Sequence, residues 1–231
     1  MTFLVLLGAP GAGKGTQAPI LADRLGLPHV ATGDLFRLAV HEGSAVGLEA
    51  RRYMERGQLV PDSITVTMLL DRLAQPDAVR GAILDGFPRN LAQADILATA
   101  LAERGSGVGV ALEIEVPEAE LVRRLSGRWI CQANGHVYNE SSHPPRVAGL
   151  CDLDGSALIQ REDDRRETVA ARLAAQLSAL REVVDYYRER GLLRTIDGLR
   201  PAAEVTEGLL AAARGAVGPG ARSSEARGRD R

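Results

Sequence analysis

The chain has 231 residues, which is enough for one sizeable α/β domain with small insertions. Its acidic and basic residues nearly cancel, at a formal net charge of −2, so overall charge gives no reason to expect binding to nucleic acid or to an anionic membrane surface. No apolar stretch approaches the length of a membrane-spanning helix, and the apolar run near residue 3 lacks the basic segment of a secretion signal, so we expect a cytosolic protein.

The predicted elements alternate between strands and helices. Residues 3–7 are an aliphatic run that ends at Gly8, which is typical of a buried parallel strand, and a glycine-rich turn leads from it into a helix at 13–25. The alternation predicts an α/β fold in which a parallel β-sheet carries helices on both faces. Further strands are predicted at 83–85, 108–114 and 195–197, and further helical segments at 35–55, 63–74, 91–103, 118–125 and 167–190.

Two segments depart from this alternation. Residues 128–164 are rich in Gly, Pro, Asn, Ser and His, which predicts a small irregular or β-rich insertion. From about residue 214 the chain has almost nothing to bury, so we predict a disordered tail at 214–231 and assign it no function.

The turn after the first strand has the composition of a phosphate-binding loop. Backbone N–H groups converge on a phosphate only where side chains stay out of the way, and the following helix N-terminus adds positive potential. Lys14 supplies a mobile charge for the β- and γ-phosphates. The strict motif places Ser or Thr directly after the lysine, whereas Gly15 here precedes Thr16, so the spacing alone does not specify a direct bond from Thr16 to Mg²⁺. The predicted phosphate contacts of this loop are Gly11, Ala12, Gly13, Lys14, Gly15 and Thr16. The loop alone does not choose between a motor, a GTPase, a transporter ATPase and a kinase.

Three more segments follow in a specific order. Thr32-Gly33-Asp34 begins a segment that ends in Arg37, Asp85-Gly86-Phe87-Pro88-Arg89 follows a predicted strand with Gln93 four residues later, and Arg161-Glu162-Asp163-Asp164 precedes Arg172. Together with the glycine-rich loop, these segments resemble the adenylate kinase family of the long-lid type. The resemblance extends from residue 1 to about residue 212.

The resemblance implies a P-loop nucleoside monophosphate kinase fold with a small lid insertion. It divides the chain into a core with the phosphate loop at 1–30, 61–126 and 165–213, a clamp for the nucleoside monophosphate at 31–60, and a lid at 127–164. The implied reaction is the reversible transfer of the terminal phosphoryl group of ATP to AMP, which gives two ADP and supports adenine nucleotide homeostasis. The implied partners are these small molecules alone, without nucleic acid polymer or membrane, and the implied state is a monomer.

Site residues are carried over position by position. The resemblance implies that AMP contacts Thr32, Arg37, Gln58, Leu59, Val60, Gly86, Phe87, Pro88, Arg89, Gln93, Arg161 and Arg172. It implies that ATP contacts the loop residues Gly11, Ala12, Gly13, Lys14, Gly15 and Thr16, and also Arg124, Arg128, Val137, Tyr138 and Arg200. The implied catalytic residues are Lys14, Asp85, Arg89, Arg128, Arg161 and Arg172.

The chemistry of phosphoryl transfer agrees with this set of residues. The reaction needs in-line alignment of two polyanions and cancellation of their charge more than it needs covalent help. Lysine, arginine forks and Mg²⁺ supply that charge. We expect Mg²⁺ to be held through Thr16 and Asp85, directly or through water.

The acceptor is expected to be AMP. The Gln93 amide can both donate to and accept from an adenine edge. Thr32 also stands where the related pyrimidine kinases carry alanine, and those kinases have a shorter lid. The alternatives are a UMP or CMP kinase on the same scaffold, a non-catalytic nucleotide-binding switch, and a pseudoenzyme that keeps its lid.

The insertion contains the only two cysteines, Cys131 and Cys151. In a cytosolic protein we expect them to be reduced or bound to metal rather than paired. Some long-lid relatives bind a structural zinc here, and Cys131, Cys151 and Asp154 have the matching spacing, but Asn134 occupies the remaining position and is a poor zinc ligand. His136 could replace it if the turn allows. We expect less than one zinc per chain.

Overall fold

The structure, a computed structural model, describes residues 2–140, 142–161, 164 and 166–215. Its centre is a five-stranded parallel sheet. The strands of this sheet are β1 Phe3–Leu7, β2 His29–Ala31, β3 Ile83–Asp85, β4 Val108–Glu115 and β8 Leu193–Asp197. Their order across the sheet is β2-β3-β1-β4-β8.

Eight α-helices among the described residues accompany this sheet and the segments around it. They are α1 Lys14–Leu25, α2 Thr32–His41, α3 Ala45–Met54, α4 Asp62–Leu73, α5 Leu91–Ala102, α6 Glu118–Ser126, α7 Arg166–Glu189 and α8 Ala202–Arg214. A 3₁₀ turn, Pro76–Ala78, precedes β3.

Side chains of β1 alternate between the two faces of the sheet, and each face covers its own apolar core. Leu4 and Leu6 pack with apolar residues of α1, α6 and α8. Phe3, Val5 and Leu7 pack with residues of α4, α5 and α7. Burial on both faces explains why β1 is apolar throughout rather than alternating.

The predicted fold class is confirmed, but three local predictions were incomplete. The helical segment predicted at 35–55 is two helices, because Ser44 caps α3 by accepting a hydrogen bond from the backbone N–H of Gly47 at 3.1 Å. Strand β2 was not predicted, since three residues are too short for a periodic signal. Helix α8 was also missed, and it extends to Arg214, inside the predicted tail. Residues 216–231 of that tail, and Glu162, Asp163 and Arg165, lie outside the described residues.

The insertion between α6 and α7 has a sheet of its own. Strands β5 Arg128–Cys131, β6 Val137–Asn139 and β7 Leu158–Ile159 pair antiparallel in the order β6-β5-β7. A small apolar cluster lies against this sheet and contains Cys131, Tyr138, Cys151 and Leu158.

Within the described part of the chain, none of the helices combines the length and the apolar character that crossing a membrane requires.

Candidate active site

The glycine-rich loop connects the carboxyl end of β1 to the first residue of α1. Gly13 caps α1 with φ of 105°, a conformation that side chains other than glycine rarely adopt. Lys14 turns back over the loop, and its Nζ donates to the carbonyl oxygens of Gly8 at 2.6 Å and Ala9 at 3.1 Å. The ammonium group is therefore held at the mouth of the loop.

The surroundings of Lys14 disfavour its charge. Burial lowers the pKa of Lys14 from 10.5 to about 8; the Asp85 carboxylate opposes this shift, and the positive charges of Arg89, Arg172 and Arg128 add to it. Lys14, Arg89, Arg172 and Arg128 carry four positive charges, and the carboxylates near them are those of Asp85 and Asp164, so positive charge remains in excess, which suits a bound polyanion.

Asp85 ends β3 beside this loop, and its carboxylate oxygen lies 3.3 Å from Nε2 of His29 in β2. Burial acts to raise the pKa of Asp85, but the hydrogen bond with His29 and the charge of Lys14 outweigh it, so the pKa lies below its ordinary value. Asp85 is therefore an ionised carboxylate at neutral pH, which is the form that a hydrated divalent cation requires.

The first of two pockets, pocket A, lies between α2, the residues around Gln58, and α7. Its free space, counted together with the part that is open to solvent, is about 530 Å³. The structure brings together eight of the residues that the sequence assigned to the acceptor nucleotide, and these lining residues are Thr32, Arg37, Gln58, Leu59, Val60, Arg89, Gln93 and Arg172.

Pocket B adjoins the phosphate loop. Its wall contains Gly8, Ala9, Pro10 and Lys14, and its free space, counted together with the part that is open to solvent, is about 520 Å³. Four residues line both pockets, namely Leu59, Arg89, Arg172 and Gln176. Two arginines therefore stand where an anion in one pocket would face an anion in the other.

Gly86 lets the loop after β3 approach α2. Its φ is 77°, and a Cβ on this residue would lie 2.9 Å from both the Thr32 hydroxyl and the Arg89 guanidinium. The Gly86 carbonyl accepts from Thr32 Oγ1 at 2.9 Å and from Arg89 Nε at 2.7 Å. A side chain at position 86 would disturb both contacts.

A single buried carboxylate forms ion pairs with two of the predicted arginines. Asp164 is fully buried; its two oxygens accept from Nε and Nη2 of Arg128 at 2.6 and 2.5 Å, and Nη1 of Arg172 donates to it at 2.9 Å. This contact joins the start of the insertion to α7. Arg37 pairs with Asp34 on the same helix and remains at the wall of pocket A.

Other predicted residues lie outside the two pockets. Phe87 is 1% exposed and packs in the core, so its side chain is not available to a ligand. The Tyr138 hydroxyl accepts from the backbone N–H of Asp152 at 2.8 Å within the insertion. Val137 is exposed, and Arg161 is half-buried ahead of α7. Arg124 donates to Glu120 and to the Gly198 carbonyl. Arg200 is exposed and lies near Asp197.

Sequence reasoning missed Gln176 and Asp62. Gln176 accepts from Arg89 Nη1 at 3.1 Å and donates to the Gly57 carbonyl at 3.2 Å. Its position one turn after Arg172 on a predicted helix could have suggested it. Asp62 bonds to Gln93, 31 residues away in sequence, and no local signal points to that contact.

The cysteines of the insertion lie beside two other ligand-type side chains. Cys131, His136, Cys151 and Asp154 place one sulfur, nitrogen or oxygen atom each within 4.8 Å of one another. Asp154 Oδ2 is 3.2 Å from Cys131 Sγ and 3.5 Å from His136 Nδ1, which is itself 3.2 Å from Cys151 Sγ. Asn134 is not part of this group, since its amide donates to Asp154 at 2.7 Å.

Comparison with known proteins gives a consistent result. A family model described as adenylate kinase matches residues 6–192. The adenylate kinase of Staphylococcus aureus strain Mu50 is 44% identical over 207 residues, which are 90% of this chain and 96% of that protein. The adenylate kinases of Streptomyces griseus and Streptomyces avermitilis are each 48% identical, over 204 and 205 residues, which are 88% of this chain and 93% of each relative.

Proposed function

The chain belongs to the adenylate kinase family, and we propose that pocket A holds AMP while pocket B and the phosphate loop hold the phosphates of ATP. The enzyme transfers the terminal phosphoryl group of ATP to AMP, and the reaction is reversible and gives two ADP. The observation that carries the assignment of the pockets is that Arg89 and Arg172 line both of them.

The shared arginines address the main obstacle to the reaction. The AMP phosphate must approach the γ-phosphate of ATP although both are anions. Lys14, Arg89 and Arg172 offset that repulsion, and fixed guanidinium groups also align the attacking and leaving oxygens. The AMP phosphate is ionised at neutral pH, so it attacks without a general base.

Two of the arginines, Arg128 and Arg172, are in contact with Asp164. We propose that Arg128 and Arg172 exchange part of this contact for phosphate oxygens when the nucleotides bind. Arg161, on the segment that leads to Asp164, is proposed to join them, as are Arg124 and Arg200 on the ATP side. The buried carboxylate would then keep the guanidinium groups oriented when no nucleotide is present.

Magnesium is the proposed metal cofactor of the ATP site. Asp85 fits this role because it is an ionised carboxylate at the end of β3, beside the phosphate loop. Thr16 lies in the first turn of α1, directly after this loop, and is exposed. Bound Mg²⁺ neutralises charge on the β- and γ-phosphates.

The three-part organisation is also a proposal. Residues 31–60, which supply much of pocket A, act as a clamp, and residues 127–164 act as a lid that closes over ATP. Closing both would exclude water, which would otherwise hydrolyse ATP. We further propose that the enzyme works as a cytoplasmic monomer.

We propose that the lid binds one structural zinc. A tetrahedral zinc with thiolate, imidazole and carboxylate ligands spaces neighbouring ligand atoms roughly 3.3–3.8 Å apart. The contacts among Cys131, His136, Cys151 and Asp154 are close to that spacing. In this proposal His136 is the fourth ligand, a role that Asn134 does not fill. For this reason the proposed zinc content is one per chain, which is higher than the content expected from the sequence.

A coupled assay for ADP formation from ATP and AMP tests the proposed roles. Lys14→Ala and Arg89→Ala are each expected to lose about a hundredfold or more in kcat, since each removes a cation that faces the transferred group. Both proteins should melt cooperatively near the wild-type temperature. Arg181→Ala is the matched control, because Arg181 is exposed on α7, and it should keep full activity.

The assay can also contradict the assignment. Near-normal turnover in either variant would remove that residue from the proposed mechanism. Faster transfer to UMP or CMP than to AMP would assign pocket A to a pyrimidine nucleotide.

A further inference from the structure

The side-chain amide of Gln93 is oriented by two neighbours of opposite hydrogen-bonding character. Gln93 is 1% exposed and lines pocket A. Its Oε1 accepts from the backbone N–H of Arg89 at 2.7 Å, and its Nε2 donates to Oδ1 of Asp62 at 2.7 Å. A carboxylate can only accept and a backbone N–H can only donate, so a flipped amide would face like groups at both contacts.

Asp62 is itself held in place. It is the first residue of α4, where the positive end of the helix dipole favours a carboxylate. The Asn90 amide donates to both of its oxygens, at 3.1 and 3.0 Å, and Asn90 Oδ1 accepts from the backbone N–H of Gln93 at 2.8 Å. Asp62 does not line pocket A, so it can act on a ligand only through Gln93.

The fixed amide leaves one donor and one acceptor for a ligand. An amide has two N–H groups and two oxygen lone pairs, and the contacts with Asp62 and Arg89 use one of each. The remaining pair complements a 6-aminopurine, which offers the acceptor N1 and the donor N6–H. A 6-oxopurine offers a donor at N1 and an acceptor at O6, so both contacts would be mismatched.

We propose that Asp62 is a specificity-determining positioning residue. By preventing the Gln93 amide from flipping, it makes the enzyme select a 6-aminopurine monophosphate over a 6-oxopurine monophosphate. This inference rests on the proposed function, since it requires the acceptor base to lie against Gln93. A site with a fixed donor and acceptor rejects a mismatched base because its buried polar groups then lose their partners.

The test compares AMP with IMP, which differ at N1 and C6 alone. The measured quantity is the ratio of kcat/KM for AMP to kcat/KM for IMP, with ATP fixed and saturating. Asp62→Asn keeps the shape of the side chain but adds a donor, so we expect the ratio to fall about tenfold, as for the loss of one charge-assisted hydrogen bond. Asp62→Ser, whose hydroxyl also donates and accepts, should lower it as well. Asp71→Asn, at an exposed site on α4, is the matched control and should leave the ratio unchanged.

A double-mutant cycle separates positioning from a general structural effect. In a Gln93→Ala background the amide is gone, so Asp62→Asn should no longer change the ratio. Because each ratio comes from one preparation, a smaller folded fraction cancels from it.

The proposal would be overturned if neither Asp62→Asn nor Asp62→Ser changed the ratio of kcat/KM for AMP to kcat/KM for IMP. It would also be overturned if Asp62→Asn changed this ratio equally in the wild-type and the Gln93→Ala backgrounds. The proposed function fails separately, if the wild-type enzyme does not transfer a phosphoryl group to AMP at all.

Discussion

At the scale of single residues, Lys14 is the one lysine in the whole sequence, although the chain has 28 basic residues counted as lysine and arginine. Arginine supplies every other cationic side chain, and its planar fork suits contacts with two phosphate oxygens at once. Lysine is a compact charge whose pKa responds to burial. Its use at the loop alone agrees with a role as a mobile charge near the β- and γ-phosphates.

A single lysine allows its titration to be read directly. Trace acetylation of the native protein at a series of pH values, followed by mass spectrometry, should label Lys14 with a midpoint near pH 8, because only the neutral amine reacts and burial lowers its pKa from 10.5 to about 8. Bound ATP should suppress the labelling, since phosphate favours the charged amine. A midpoint near that of a free lysine side chain would show that the loop does not desolvate the ammonium group.

At the scale of elements, the insertion contains a contact of His136 that the spacing of residues in the sequence does not predict. From the sequence, Asn134 stood at the second ligand position. In the structure, the turn between β5 and β6 directs His136 at Cys151 and Asp154, and Asn134 donates to the Asp154 carboxylate. Hydrogen bonds from Ser156 and Asn134 hold the pKa of Asp154 well below its ordinary value, which keeps it ionised for a metal.

Metal analysis of protein purified without chelators should find one zinc per chain. Removing it with a strong chelator should lower the melting temperature, because the β5–β7 sheet has few buried apolar residues to stabilise it without the metal. Cys131→Ser should bind little zinc, whereas Asn134→Ala should retain it. Zinc well below one equivalent, with no effect of the chelator, would support the sequence-based expectation instead.

At the scale of the whole molecule, Gln176 connects two parts that the sequence analysis treated separately. Its side chain accepts from Arg89 of the loop after β3 and donates to the carbonyl of Gly57, a residue that lines pocket A. One residue of α7 thus contacts both Arg89, which is proposed to face the phosphates, and the end of the proposed clamp.

Replacing Gln176 with leucine should remove both hydrogen bonds while keeping a similar volume. We expect the KM for AMP to rise about tenfold, because one hydrogen bond from the charged Arg89 guanidinium and one neutral hydrogen bond to the Gly57 carbonyl support that pocket. The KM for ATP should change less. Gln75→Leu, at an exposed position after α4, serves as the control. An unchanged KM for AMP would mean that the clamp and Arg89 are held by other contacts.

The sequence by itself determined the α/β class, the phosphate loop and the family. These follow from local patterns: an apolar strand, glycines at fixed spacing around Lys14, and short motifs in a specific order. It also indicated most residues of pocket A, since Thr32, Arg89 and Gln93 belong to those motifs.

Only the tertiary structure decided how these residues act on one another. Asp62 accepts a hydrogen bond from Gln93, Gln176 accepts one from Arg89, and Asp164 accepts from both Arg128 and Arg172. His136 lies with Asp154 and the two cysteines in one group of possible metal ligands. The reason is physical, because each contact joins atoms on different elements or across a turn. Hydrogen-bond partners depend on distance and direction in space, whereas periodicity reports only which face of its own element a residue occupies.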